Sequence, residues 1–184
     1  MDAGAIAPAL EEYLPQARSF GPNTSLIVFS RPGPVAPLER YRRRFWDILA
    51  GLARQDDTPW PADIPEALGT PGWEFCFRGE PIFVVCNTPA HIFRQSRRAT
   101  SMMLTFQPRW VFDNILGSER AAELAFAKVR SRLAAYDLLA PSPALGRYGD
   151  PVTREFQQYF LNDTEMPAKC PFHSLSRSQK EKAA

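Results

Sequence analysis

The stretch "WEFCFRGEPIFVVCNTPAHIFRQSRR", residues 73–98, carries the clearest pattern in the chain. Two apolar runs, "WEFCF" and "PIFVVC", flank the short sequence Arg-Gly-Glu. Apolar runs on either side of a glycine-containing turn are typical of a β-hairpin. The second run is apolar on both faces, which predicts a strand inside a sheet rather than at its edge.

Neighbouring segments extend this hairpin into a larger sheet. Strands are predicted in "TSLIVFS" (24–30) and "MMLTFQ" (102–107), and helices over about 38–54, 109–116 and 118–139. A last helix is predicted from Asp150, as N-cap before Pro151, to about Leu161. The buried stripe of helix 118–139 is expected at Ala122, Phe126, Val129, Leu133 and Tyr136. The fold class that follows is α+β, a mostly antiparallel sheet of about four strands packed against several helices.

The 184 residues suffice for one domain with a sizeable core. Weak periodicity and several helix breakers predict a poorly ordered N-terminal segment over 1–23. A single α+β domain is expected over 24–172, followed by a polar tail over 173–184.

Charge and cysteine usage narrow the classes of protein. With 22 basic and 20 acidic residues the net charge is +2, so neither nucleic acid nor a membrane is an expected partner. No apolar run approaches the roughly 20 residues of a membrane span, and no secretory signal is expected at the N-terminus. Three cysteines do not form a disulfide framework. The expected location is cytoplasmic.

An arginine run occupies the predicted helix 38–54. Arg40, Arg42, Arg43 and Arg44 lie mostly off the apolar stripe of that helix. Two interpretations stay open: a solvated helix face and an anion-binding surface.

His91 is one of two histidines and follows the second hairpin strand. Thr88 suits an N-cap and Pro89 the first helical position, so His91 is expected in the first turn of a helix. The positive end of a helix disfavours an imidazolium, which predicts a neutral ring. If the helix continues, Arg94 and Arg98 share the histidine's face.

A neutral imidazole beside guanidiniums suits a ligand with one coordinating centre and several negative groups. Haem fits this description, with iron for the histidine and propionates for the arginines, and a phosphate-bearing cofactor fits nearly as well. The structural alternative is a helix-start histidine bonded to nearby backbone. A second candidate metal-binding pair is Cys170 and His173 in "CPFH". The acidic residues show no spacing that marks a catalytic pair; those considered are Glu74, Glu80, Asp113, Asp150 and Glu155.

Several long strings carry a resemblance to a known family. They are the opening stretch, "LTFQPRWVFD" (104–113), "YDLLAPSPALGRYGD" (136–150), "REFQQYFLND" (154–163) and "CPF" (170–172). Together they resemble the YqcI/YcgG family over roughly residues 45–173. Members of that family include haem-dependent N-oxygenases, which hydroxylate nitrogen in guanidine or amine substrates such as arginine.

The resemblance implies a haem b monooxygenase with iron as its metal. Carried onto this sequence, it implies His91 as axial ligand and Arg94, Arg97 and Arg98 as propionate partners. The spacing in "CPFH" keeps Cys170 or His173 as the alternative ligand. The expected partners are a small-molecule amine or guanidine substrate and an external electron donor, with a homodimer left open. A cationic substrate would need a carboxylate nearby. Glu74 and Glu80, which flank the hairpin turn, are the candidates.

The alternative function is a haem-binding or haem-sensing module without turnover. It is favoured by the "CPFH" tail and by a further difference from the family. Family members are expected to carry an upstream segment with a Phe-Pro-Cys element, whereas this sequence begins with an unrelated stretch.

Overall fold

This computed structural model of the protein describes residues 1–146 and 152–166. Within these residues one antiparallel sheet has four strands: β1 Leu26–Phe29, β2 Phe75–Phe77, β3 Glu80–Asn87 and β4 Met103–Pro108. The α-helices are α1 Ala3–Gln16, α2 Leu38–Gln55, α3 Trp110–Ile115, α4 Glu119–Tyr136 and α5 Phe156–Tyr159. The strand order is β1-β4-β3-β2. The predicted α+β class and the antiparallel sheet of about four strands are confirmed.

The predicted hairpin is the β2–β3 pair. Its turn residues Arg78 and Gly79 have φ values of 53° and 77°, as a type I′ turn requires. The Arg78 N–H donates to Asp56 Oδ2 at 2.9 Å, and its guanidinium pairs with Glu11 and Asp57. The turn therefore ties the hairpin to α1 and to the segment that follows α2.

The hydrophobic core lies between one face of the sheet and helices α1 and α2. Strand alternation sends Ile82, Val84 and Cys86 of β3 to this face. The register pairs Val84 with Phe106 of β4, which is also fully buried. Helix α2 covers the strands with its predicted stripe, including Phe45, Ile48 and Leu52.

The prediction of a poorly ordered segment over 1–23 is wrong. Helix α1 begins after Asp2, whose side chain accepts the N–H of Ala5 at 3.0 Å, and Ile6 and Leu10 are fully buried in the core. Helices α1 and α2 approach closely, since a Cβ added at Gly51 would lie 2.6 Å from the Ala3 Cβ. Tertiary packing of this kind stabilises a helix whose local sequence is a poor helix former.

The helix expected to start at Thr88 is also absent from the described chain. The chain turns instead, forms a bridge between Thr88 and Arg98, and makes one 3₁₀ turn at Gln95–Arg97. The Asp163 carboxylate accepts the N–H groups of residues 92, 93 and 94 at 2.8, 3.0 and 2.6 Å. A side chain remote in sequence therefore accepts the N–H groups that a helix starting at Thr88 would donate to its own carbonyls four residues earlier.

The helix predicted over 118–139 is confirmed as α4, but the predicted buried stripe is wrong. Of its five positions only Ala122 is buried, whereas Val129 is 50% and Tyr136 is 61% exposed. The apolar face of α4 lines a cavity rather than the core. The last predicted helix is present only as α5, and its predicted start at Asp150, like the predicted tail 173–184, lies outside the described residues.

In the described ranges, 1–146 and 152–166, none of the helices combines the length and the hydropathy needed to cross a membrane.

Candidate functional site

An apolar cavity of about 470 Å³ lies between the sheet and α4. Its sheet side is formed by Phe83 and Val85, the β3 residues that alternate away from the core. Phe126, Val129 and Leu133 of α4 line it on the helix side. This size and lining are typical of small-molecule sites, which are mostly apolar with few polar groups.

Arg97 supplies positive charge to this cavity. Its Nη2 donates to the Gln158 carbonyl at 3.4 Å, and its buried Nε has no hydrogen-bond partner among residues 1–146 and 152–166. Burial lowers the pKa of Arg97 to about 10, so the side chain is still cationic at neutral pH. Arg97 therefore places a positive charge at the wall of the cavity.

A pair of acidic side chains lies next to the same cavity. Glu74, 1% exposed, accepts a hydrogen bond from Arg109 Nη1 at 3.1 Å. The Glu74 and Glu155 carboxyl groups are close enough to hydrogen-bond to each other when one of them is protonated. The Tyr159 hydroxyl donates to Glu155 Oε1 at 2.9 Å and accepts the N–H of Phe75 at 3.1 Å.

The two carboxyl groups share a proton, because two carboxylates have no hydrogen to place between them. Burial is the main cause that raises the pKa of Glu74, to about 7, and the nearby Arg109 opposes it. Burial also raises the pKa of Glu155, to about 9, with the Glu74 charge as the second cause. Between about pH 7 and about pH 9 the pair therefore carries one proton and about one negative charge.

The acid pair lies in a smaller cavity next to the apolar one. A smaller cavity of about 140 Å³ is lined by Glu74 and Glu155. It shares Phe83, Phe112 and Phe126 with the larger cavity. Aromatic rings thus separate an acidic end from the end that carries Arg97.

His91 does not line this site. It is fully buried, its Nε2 donates to the Leu161 carbonyl at 3.0 Å, and its Nδ1 accepts from the Thr88 hydroxyl at 2.9 Å. Burial, rather than a helix end, lowers the pKa of His91 and keeps the ring neutral. Iron coordination at either nitrogen would require one of these hydrogen bonds to break.

Of the other two predicted propionate partners, Arg94 also lines the larger cavity and Arg98 does not. Arg94 is 1% exposed and spends its guanidinium on the carbonyls of Asn162, Ala140 and Thr164 at 2.9, 3.3 and 3.1 Å, with Asp137 at 3.6 Å. Arg98 is exposed and lines neither cavity. Of the three predicted arginines, Arg97 lines the cavity and forms no ion pair with residues 1–146 and 152–166.

The described residues do not fit haem iron at this site. The residues lining the larger cavity include Arg97 for a propionate but no histidine, cysteine, methionine or tyrosine to ligate iron. No group of three or more metal-binding side chains occurs in the part of the chain that the structure describes. Cys170 and His173 lie outside the described residues.

Sequence patterns did not reveal the acid pair. Glu74 precedes β2 and Glu155 precedes α5, so only the fold brings them together. A weak signal exists in Glu155 and Tyr159, whose spacing of four puts them on one helical face. Glu80, the other predicted carboxylate, lines a separate cavity beside α1.

Comparison of the sequence with known proteins assigns the chain to a family. The model of the YqcI/YcgG family matches residues 1–173. The chain is 45% identical to "Uncharacterized protein YcgG" of Bacillus subtilis (strain 168), over 94% of this chain and 70% of that protein. It is 40% identical to "Uncharacterized protein YqcI" of the same organism, over 98% of this chain and 73% of that protein.

A more distant relative has a name that states an activity. The chain is 32% identical to "Putative N(omega)-hydroxy-L-arginine synthase DcsA" of Streptomyces lavendulae, over 80% of this chain and 57% of that protein. No solved structure shows significant similarity. The resemblance noted in the sequence is confirmed, and the chain belongs to the YqcI/YcgG family.

Proposed function

We propose that this protein is an N-oxygenase that hydroxylates a guanidine or amine nitrogen of an arginine-like substrate. The observation that carries the proposal is the buried Glu74–Glu155 pair at one end of an apolar cavity. The name of the Streptomyces relative supports the same reaction class.

The acid pair would bind the cationic head of the substrate. A guanidinium presents a planar fork of donors that matches carboxylate oxygens, and an amine presents a compact charge. Phe83, Phe112 and Phe126 would surround the head group, exclude water and offer ring faces to the cation. Arg97, which lines the larger cavity away from the acid pair, would bind the carboxylate of an amino-acid substrate.

The acid pair would also manage a proton. The nitrogen lone pair is bound to a proton in an ammonium and delocalised in a guanidinium, so the substrate cation must lose a proton for its nitrogen to accept oxygen. With a raised pKa, the singly protonated pair can accept that proton near neutral pH. The Tyr159 hydroxyl holds Glu155 in place throughout, through its hydrogen bond to Oε1.

Haem b, implied by the family resemblance, would supply the oxygen chemistry with electrons from an external donor. Because both His91 nitrogens are hydrogen-bonded, we propose that Cys170 or His173, rather than His91, would hold the iron.

The ligand assignment is tested by haem titration of purified variants. Wild-type protein should bind about one haem per chain with a Soret band. His91→Ala should leave the position of that band unchanged and lower the thermal midpoint, whereas Cys170→Ala or His173→Ala should shift or abolish it. Loss of the band in His91→Ala, with both other variants unaffected, would return the ligand to His91.

The substrate site is tested with arginine and simple amines, a reductant and oxygen. Mass spectrometry should detect a product heavier by one oxygen atom. Glu74→Gln should raise KM by about tenfold or more, the order expected when one charge-assisted contact is lost. Glu80→Gln is the matched control and should behave as wild type. Haem binding without any product from these compounds would favour the module without turnover.

A further inference from the structure

A further cavity, of about 560 Å³, lies where the loop after β1 meets the first half of α2. Ser101 and Met102 before β4, and Pro89 after β3, complete its lining. It shares no lining residue with either cavity of the site described above. A ligand bound in this cavity would therefore not contact the proposed substrate site.

Arginines dominate the charge of this cavity. Arg40, Arg43 and Arg44 line it together with Asp47, and their spacing of three, four and seven places all four on one face of α2. Arg31 of the preceding loop adds a further guanidinium. The same run contains Arg42, which is used differently: it pairs with Glu39 and lies over the Phe160 ring.

The guanidiniums that line this cavity are not neutralised by the protein. Those of Arg31, Arg40 and Arg43 form no hydrogen bond or ion pair with residues 1–146 and 152–166. Arg44 donates only to the Met1 carbonyl, at 2.9 and 3.3 Å, which is not a counter-charge. A concave surface with this charge excess attracts and retains anions.

Helix α2 adds to the positive potential. Its N-cap is Pro37, which makes no side-chain capping bond, and Ala36 and Tyr41 place this helix start at the cavity. The positive end of the helix dipole acts in the same direction as the arginines. Glu39, the acidic residue of the first turn, is already paired with Arg42.

We propose that this cavity binds a phosphorylated small molecule of about mononucleotide size. Guanidiniums match phosphate oxygens in a bidentate fork, and the volume falls within the range of small-molecule pockets. Tyr41, Pro34 and Met102 give the non-phosphate part of the ligand an apolar surface. A concave site of this size favours a small ligand over an acidic protein surface.

Calorimetric titration of the full chain with inorganic phosphate, pyrophosphate and ADP tests the proposal. ADP and pyrophosphate should bind more tightly than phosphate, and all affinities should fall as NaCl is raised. Arg40→Gln and Arg43→Gln should each weaken ADP binding by about tenfold or more. Both side chains are exposed, so the thermal midpoint should not change.

Arg132→Gln, an exposed arginine on α4 that lines neither cavity, is the matched control and should bind ADP as wild type does. The proposal is overturned if wild-type protein binds none of the three probes. It is equally overturned if ADP binding is the same in Arg40→Gln and Arg43→Gln as in wild type. Binding of a glutamate-rich peptide without binding of ADP would assign the surface to an acidic protein instead.

Discussion

Single residues determine the charge of the candidate site. Glu74 and Glu155 are kept near one negative charge by a shared proton, and Tyr159 links that pair to the backbone of β2. Such an arrangement raises the cost of folding at alkaline pH, because buried carboxyl groups resist ionisation.

Glu155→Gln should therefore make the protein more stable at pH 8. The unfolded chain has glutamate pKa values of about 4.3, so wild-type stability falls as pH rises from there toward the raised folded values of about 7 and about 9. Glutamine keeps a donor for Glu74 and an acceptor for Tyr159 but cannot ionise. We expect a gain of about 2 kcal/mol at pH 8 that shrinks toward pH 5.

Urea unfolding at the two pH values measures this difference. Exposed Glu123→Gln on α4 should show none. Equal stability of wild type and Glu155→Gln at pH 8 would mean that the pair does not share a buried proton.

At the scale of elements, the local sequence pattern predicted the helices and strands that tertiary contacts do not alter. The hairpin, α2 and α4 follow from alternation and helical spacing, and all are confirmed. The segment 88–98 followed good capping rules yet is not helical, because Asp163 takes its N–H groups from a distance of about 70 positions along the chain. No local signal contains that contact, so His91 could not be assigned its hydrogen bonds from the sequence.

Asp163→Ala should loosen this segment. Three backbone N–H groups would lose a charged acceptor, which should lower the free energy of unfolding by about 2 kcal/mol and speed amide exchange at residues 92–94. Glu165→Ala, an exposed neighbour, is the control and should change neither. Unchanged exchange at those amides in Asp163→Ala would show that other contacts hold the segment.

At the scale of the whole molecule, the two faces of the sheet differ in how completely they are covered. The α1 and α2 face of the sheet is closed, whereas the α4 face leaves a cavity. Periodicity finds apolar stripes but does not say what they face, which is why α4 was predicted to be buried and α1, with its two prolines, was not. The acid pair was missed for a related reason, since its members meet only when β2 and α5 pack together.

Leucine substitutions should separate these roles. Leu10→Ala in α1 removes a fully buried side chain and should cost about 2–5 kcal/mol. Leu124→Ala in α4, at a position 64% exposed, should stay within about 0.5 kcal/mol of wild type. Chemical unfolding of both variants tests this, and a small effect at Leu10 would support the original expectation of a poorly ordered N-terminal segment.

The half-exposed apolar face of α4 also affects which substitutions such a protein can accept in evolution. Substitutions there reshape the ligand cavity while leaving the opposite core intact, so they seldom carry a folding penalty. Substitutions in α1 or α2 have the reverse consequence. A protein built on this sheet can therefore change the shape of its cavity through one helix while its scaffold stays unchanged.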